Sequence, residues 1–137
     1  MSDERLFLDT VFIQALLNKR DQYHLLAKAF LPRVRAALAV WVTEAVFVEV
    51  ANALSAVNRP GAVQFIQQCY NTANLCVVTL DTPLLTRALQ LYNERPDKTW
   101  GLTDCISFVV MREQSLTDAL TADVHFVQAG FRALLRE

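Results

Sequence analysis

Four acidic residues stand inside apolar stretches of the 137-residue chain: Asp9 in LFLDTVFI, Glu49 in VFVEVANAL, Asp104 in GLTDCISFVVM and Asp123 in ALTADVHF. A carboxylate with hydrophobic neighbours on both sides is costly to hold in a folded domain unless its charge is compensated. Four of them suggest one shared compensator, a divalent cation bound through oxygen, and so phosphoryl-transfer chemistry. Without the cation, converging carboxylates repel, and at least one should take up a proton more readily than a free carboxylic acid. Each acid also has a purely structural reading. Asp9 and Asp123 could be helix N-caps, and Asp104 a first-turn residue favoured by the helix dipole. Glu49 has no basic residue three or four positions away to pair with it, and Asn52 shares its face. Glu44 opens the same helix and reads as a surface charge pointing away from Glu49.

The elements that must position these acids alternate between two periods. Arg5–Leu8 reads as a strand ending at Asp9, followed by a helix over Thr10–Leu17 and a second over Gln22–Leu38 that Pro32 divides or bends. Ala39–Val42 is a strand and Glu44–Val57 a helix, stopped by the turn signal Asn58-Arg59-Pro60-Gly61. A helix over Ala62–Tyr70 leads to a strand over Asn74–Leu80. Asp81 then caps a helix running to Asn93. After the polar loop Asn93–Thr99 come a helix over Thr103–Arg112, a strand over Ala119–Ala122, and a short helix over Asp123–Ala129 stopped by Gly130. Phe131–Leu135 reads as an edge strand. This is the α/β class: one domain with a central, mainly parallel sheet of four to five strands and helices on both faces. In such folds, sites form beyond the carboxyl ends of the strands, where all four acids can converge.

Composition narrows the chemistry. The chain is 53% hydrophobic and 20% charged, so disorder is not expected. No apolar run is long enough for a membrane span, and MSDERLFLDT does not resemble a signal peptide. Cys69, Cys76 and Cys105 form no C-x-x-C pair and read as reduced thiols of a cytoplasmic protein; His24 and His125 are too few for structural zinc. Gly61, Gly101 and Gly130 cannot make a P-loop or a dinucleotide fingerprint. A haloacid dehalogenase-like phosphatase would want a second Asp at position 11, which is Val. The net charge of −1 argues against a surface that binds nucleic acid throughout. Contact must be local, and the candidate cations are Lys19, Arg20, Arg87, Arg95, Lys98 and Arg112.

In order and spacing, LFLDTVFIQALL, VTEAVFVEVANAL, GLTDCISFVVM and LTADVHFVQAGF resemble the PIN domain family, and within it the VapC-type toxin ribonucleases of toxin–antitoxin systems. The resemblance covers nearly all of residues 1–137, and T-A-D-x-x-F followed by G-F is its most telling piece. It implies a Mg²⁺- or Mn²⁺-dependent endoribonuclease. Asp9, Glu49, Asp104 and Asp123 would be the catalytic, metal-holding quartet, and Thr10 and Thr121 supporting hydroxyls. Asp9 and Asp104 would be the principal ligands, Glu49 would complete the shell or orient the attacking water, and Asp123 would hold a second ion or a metal-bound water. The resemblance also implies an RNA substrate, a homodimer and an antitoxin partner laid along the early helices. There Val11–Leu38 carries more apolar residues than one buried stripe needs. One departure is Val124, where many relatives carry a basic residue, which bears on local substrate contact. The alternatives are a housekeeping or DNA-structure-specific PIN-like nuclease and an inactive RNA-binding module.

Overall fold

Strand alternation sorts the hydrophobic residues into two cores. In β1 (Arg5–Leu8), Leu6 and Leu8 enter one core while Phe7 enters the other; in β2 (Ala39–Thr43), Val40 and Val42 face the first and Trp41 the second. The computed structural model describes residues 2–137. It completes the sheet with β3 (Leu75–Val78), β4 (Asp118–Leu120) and β5 (Arg132–Ala133). The order is β3-β2-β1-β4-β5, with every pairing parallel. The helices are α1 (Thr10–Leu17), α2 (His24–Ala36), α3 (Glu44–Leu54), α4 (Arg59–Tyr70), α5 (Thr82–Glu94), α6 (Leu102–Glu113) and α7 (Val124–Gln128). The first core takes side chains from α1 to α4, such as Phe12, Ala27, Val50 and Ala62; the second takes Leu84, Phe108 and Phe126 from α5 to α7. Helices therefore cover both faces, as the alternation predicts.

Several local expectations need correction. One helix runs through Pro32 rather than dividing there. Pro32 is exposed, and burial of Ala27, with Phe30 and Val34 packed on the core, outweighs one missing backbone donor. Asn58-Arg59-Pro60-Gly61 is not a free turn but the start of α4. Asn58 Oδ1 accepts from Gly61 N at 3.1 Å, and Pro60 sits in the first turn, where its missing N–H costs nothing. The edge strand expected over Phe131–Leu135 shrinks to Arg132–Ala133, followed by a 3-10 turn over Leu134–Arg136 that buries Leu134 and Leu135. Glu44 is no loose surface charge. Its Oε2 accepts from Tyr70 Oη at 2.6 Å and its Oε1 from Leu80 N at 2.9 Å, tying α3 to α4 and to the end of β3. The Asp81 cap is as expected, with Oδ1 accepting from Leu84 N at 2.9 Å.

The apolar surplus of the early helices largely enters the core. Phe12 and Ile13 are buried, and Leu16, Leu17, Phe30 and Val34 pack against the first core. Leu25 at 79%, Leu38 at 61% and Leu26 at 39% remain exposed. No helix among the described residues is long and apolar enough to cross a membrane.

The α4 cap generates a counter-intuitive expectation. In a free helix Gly→Ala gains about 1 kcal/mol. At Gly61 a Cβ would run into the Asn58 amide, whose Nδ2 also donates to Leu17 O at 2.9 Å. Gly61→Ala should therefore lower Tm, with the lost cap costing about 1 kcal/mol. A thermal melt at or above that of the parent would contradict this reading.

Candidate metal centre

The strand order reverses at β1. The chain moves outward through β2 and β3, then returns to place β4 on the other flank of β1. The carboxyl ends of β1 and β4 lie side by side, with Leu8 opposite Leu120. A topological switch of this kind opens a crevice where ligands bind in parallel sheets. The next residues along each strand are Asp9 and Thr121. Thr121 Oγ1 donates to Asp9 Oδ2 at 2.7 Å, and Asp9 N donates to Leu120 O at 3.3 Å. Thr121 is fully buried, and its Oγ1 also accepts from Asp123 N at 3.0 Å. One hydroxyl thus links the acid after β1 to the acid that opens α7.

Asp9 occupies the N-cap position of α1 but makes no side-chain cap bond. Its carboxylate is left for other work, and it is buried. Burial, reinforced by the charges of Asp104 and Asp123 and opposed by the Thr121 hydrogen bond, pushes its pKa up to about 7. Repulsion alone, the cause expected from sequence, is secondary to desolvation. Asp104 sits in the first turn of α6, where its Oδ2 accepts from Gly101 N at 3.1 Å. Burial raises its pKa too, against the pull of His125 and Gly101. Asp123 caps α7, accepting from His125 N at 2.9 Å.

His125 closes the group. Its Nδ1 lies 2.9 Å from Asp104 Oδ2 and 3.4 Å from Asp123 Oδ1, and its Nε2 lies 3.2 Å from Thr99 Oγ1. A carboxylate only accepts, so Nδ1 carries the proton, and in the neutral ring Nε2 accepts from the Thr99 hydroxyl. Ligand atoms of Asp104, Asp123 and His125 fall within 4.8 Å of one another. His125 and Thr99 are absent from the sequence-derived residue set. The signal available was D-V-H, two residues from Asp123 on a short helix. His24 stands apart, its Nδ1 2.8 Å from Ala15 O.

Glu49 is exposed on α3, a helix that packs against α1 and α6. Among the described residues no hydrogen bond or ion pair joins it to the other acids. The Thr10 and Ser107 hydroxyls are buried without hydrogen-bond partners. Thr10 follows Asp9, and Ser107 lies one turn beyond Asp104. Buried hydroxyls without a partner are uncommon, and these two follow the acids of raised pKa in the chain. The carboxylates of Asp104 and Asp123, with Asp9 tied to Asp123 through the Thr121 hydroxyl, fit a hard divalent ion such as Mg²⁺ or Mn²⁺, and the imidazole stands beside them as a hydrogen-bond partner of Asp104.

A family model described as PIN domain matches residues 6–132. In fold the chain is similar to Mycobacterium tuberculosis VapC20, described as a sarcin–ricin loop cleaving toxin, with TM-score 0.83 and 24% identity over 93% of this chain and 96% of that one. It is also similar to VapBC2 from Rickettsia felis, whose structure holds a DNA fragment from their promoter, with TM-score 0.64 and 12% identity over 92% and 93% of the two chains. FitAcB from Neisseria gonorrhoeae gives TM-score 0.62 and 16% identity over 93% and 94%. No curated protein matches the chain by sequence.

The raised pKa of Asp9 fixes a pH dependence for the metal-free protein. Its folded pKa of about 7 exceeds the ordinary 3.8, so its contribution is fully present below about pH 4 and is lost as pH rises through about 7. Asp9→Asn escapes that loss and can keep the Thr121 hydrogen bond. Its stability relative to wild type should climb across this window, by up to roughly 4 kcal/mol. Urea unfolding in EDTA at several pH values measures it; parallel stability curves for the two proteins would contradict the assignment.

Proposed function

The chain belongs to the PIN domain family, and from that premise we propose that it is a divalent-metal-dependent endoribonuclease, the toxin of a type II toxin–antitoxin pair. The observation that carries the proposal is the meeting of Asp9, Asp104 and Asp123 where β1 and β4 end, with burial raising the pKa of two of them. Bound there, Mg²⁺ or Mn²⁺ supplies water activation and neutralises charge on the scissile phosphate. Asp9 and Asp104 would be the principal ligands. Asp123 would hold a second ion or a metal-bound water, with His125 beside it. Glu49, at the exposed rim on α3, would complete the shell or orient the incoming water. Thr121 keeps the Asp9 carboxylate turned toward its neighbours, and Thr10 offers its unpartnered hydroxyl.

RNA as substrate is supported by the description of the VapC20 neighbour as a sarcin–ricin loop cleaving toxin. An antitoxin would cover the exposed Leu25, Leu26 and Leu38 of the early segment and reach an Arg toward the acids. A second copy of the chain would pair through Leu85, Leu89 and Tyr92, an exposed i, i+4, i+7 stripe on α5. Three free cysteines suit a cytoplasmic setting.

Purified protein should cleave RNA with Mg²⁺ or Mn²⁺ and stop in EDTA. Asp104→Asn should lose about 100-fold or more while staying folded. Thr121→Val, which removes the hydroxyl that holds Asp9 and accepts from Asp123 N, should lose about 10- to 100-fold. Expression alone should arrest growth, and co-expression of the neighbouring small gene should relieve the arrest. Cleavage that persists in EDTA, or full activity in Asp104→Asn, would overturn the proposal.

A further inference from the structure

The fold brings to the acids an arginine that the sequence pattern does not mark. β5 runs parallel to β4, with Asp118 opposite Arg132 and Ala119 opposite Ala133, so the residues after β5 leave the sheet beside Thr121 and Asp123. The 3-10 turn over Leu134–Arg136 is fixed there. Leu134 and Leu135 are buried in the first core, and Leu135 N donates to Thr121 O at 3.1 Å. Arg136 turns its guanidinium onto the next residue of that segment, with Nη1 donating to Ala122 O at 3.1 Å. Ala122 stands between Thr121, whose hydroxyl holds Asp9, and Asp123.

Charge makes this placement informative. Clustered carboxylates repel a phosphodiester, and a chain of net charge −1 has few cations to offset them. The cations that stand out in sequence are occupied or set apart. Arg87 pairs with Glu113 and Arg95 with Asp97. Lys19 and Arg20 lie past the far end of α1, about 12 Å of helix from Asp9, and Arg112 is as far along α6 from Asp104. Lys98 stands on the loop before α6 and makes no ion pair with the acids among the described residues. On α7, Val124 and Val127 present apolar side chains to solvent. The acids near Arg136 in the fold are already taken, because Arg132 pairs with both Asp118 and Glu137. Arg136 itself has no ion pair among the described residues. Its bond to Ala122 occupies a single N–H donor and steadies the group. The donors that remain form a planar fork, which matches two oxygens of a phosphate.

We propose that Arg136 binds the backbone phosphate next to the scissile one, on the β5 side of the acids. The assignment rests on the ribonuclease reading and adds a substrate-binding residue to it. Tethered to the backbone and bonded to none of the acids, Arg136 holds the RNA in place and does not act on the reacting phosphate.

The test measures binding of a short single-stranded RNA, labelled with fluorescein, by anisotropy across a salt series. The protein is the full chain carrying Asp9→Asn, which prevents cleavage. Losing one phosphate contact flattens the dependence of log affinity on log salt by about 0.7 for a single strand. Arg136→Ala should flatten the slope by that amount and weaken binding by about 10-fold at low salt, with Tm unchanged. Arg136→Lys, which keeps the charge, should keep the slope. Arg59→Ala is the matched control. Arg59 also donates to a backbone carbonyl, Ser55 O at 3.2 Å, but it opens α4 next to Asn58, whose Nδ2 reaches Leu17 O at the far end of α1. That variant should bind like the parent. In the cleavage-competent chain Arg136→Ala should raise KM and leave kcat in place. A parent-like salt slope in Arg136→Ala would overturn the assignment, even with lower affinity or Tm, since a purely structural role moves those alone. A fall in kcat at constant KM would place Arg136 on the reacting phosphate and overturn it too. A parent that binds no RNA would bring down the ribonuclease reading with it.

Discussion

One buried hydrogen bond, from Thr121 Oγ1 to Asp9 Oδ2, joins residues 112 positions apart at the place where the two halves of the sheet meet. Its existence depends on the β1–β4 register: Leu8 opposite Leu120 puts the next residue of each strand within reach of the other. The same hydroxyl accepts from Asp123 N, so the start of α7 is set by the strand that precedes it. Asp123 then fixes the His125 backbone, and the His125 ring reaches Asp104 on α6. The acids are thus positioned by a chain of hydrogen bonds anchored in the sheet rather than by loops.

That arrangement sets burial against charge. Asp9 is only 3% exposed and sits among apolar neighbours, so its ionised form is disfavoured and its pKa rises to about 7. A fold that sought stability alone would place an apolar residue there. Two unpartnered hydroxyls, Thr10 and Ser107, add to the same deficit. A divalent ion would supply the positive charge that the carboxylates lack. The cost is concentrated at the switch point of the sheet, while Asp81 and Glu44, acids outside it, are satisfied by backbone N–H groups.

What the sequence reveals follows from which forces are local. Alternating and helical periods give the strands and most helix limits, because burial on a sheet face imposes them directly. Asp9, Asp104 and Asp123 stand out because a carboxylate among apolar residues is rare, and parallel topology sends strand ends to one side. The rest depends on closure in three dimensions. The Glu44 bonds to Tyr70 and Leu80 span 26 and 36 positions, so no local pattern shows them. His125 meets Asp104 only once α6 and α7 pack, and D-V-H alone does not distinguish that from a solvated histidine. The helix through Pro32 persists because tertiary packing overrides a local breaker. The cap role of Asn58 was hidden by a Pro-Gly pair that also reads as a turn. Glu49 stands out in sequence by its missing partner, and in the fold it lies exposed on a helix that touches both α1 and α6.

The central claim is that the buried acids at the end of β1 and β4 are a cation site. Anomalous diffraction from crystals soaked in Mn²⁺ tests it most directly. The account predicts a Mn²⁺ peak within coordination distance, about 2.0–2.3 Å, of carboxylate oxygens from Asp9 and Asp104, lost in Asp9→Asn. Manganese bound only elsewhere, with Asp9 still held by Thr121 and bare of metal, would contradict it.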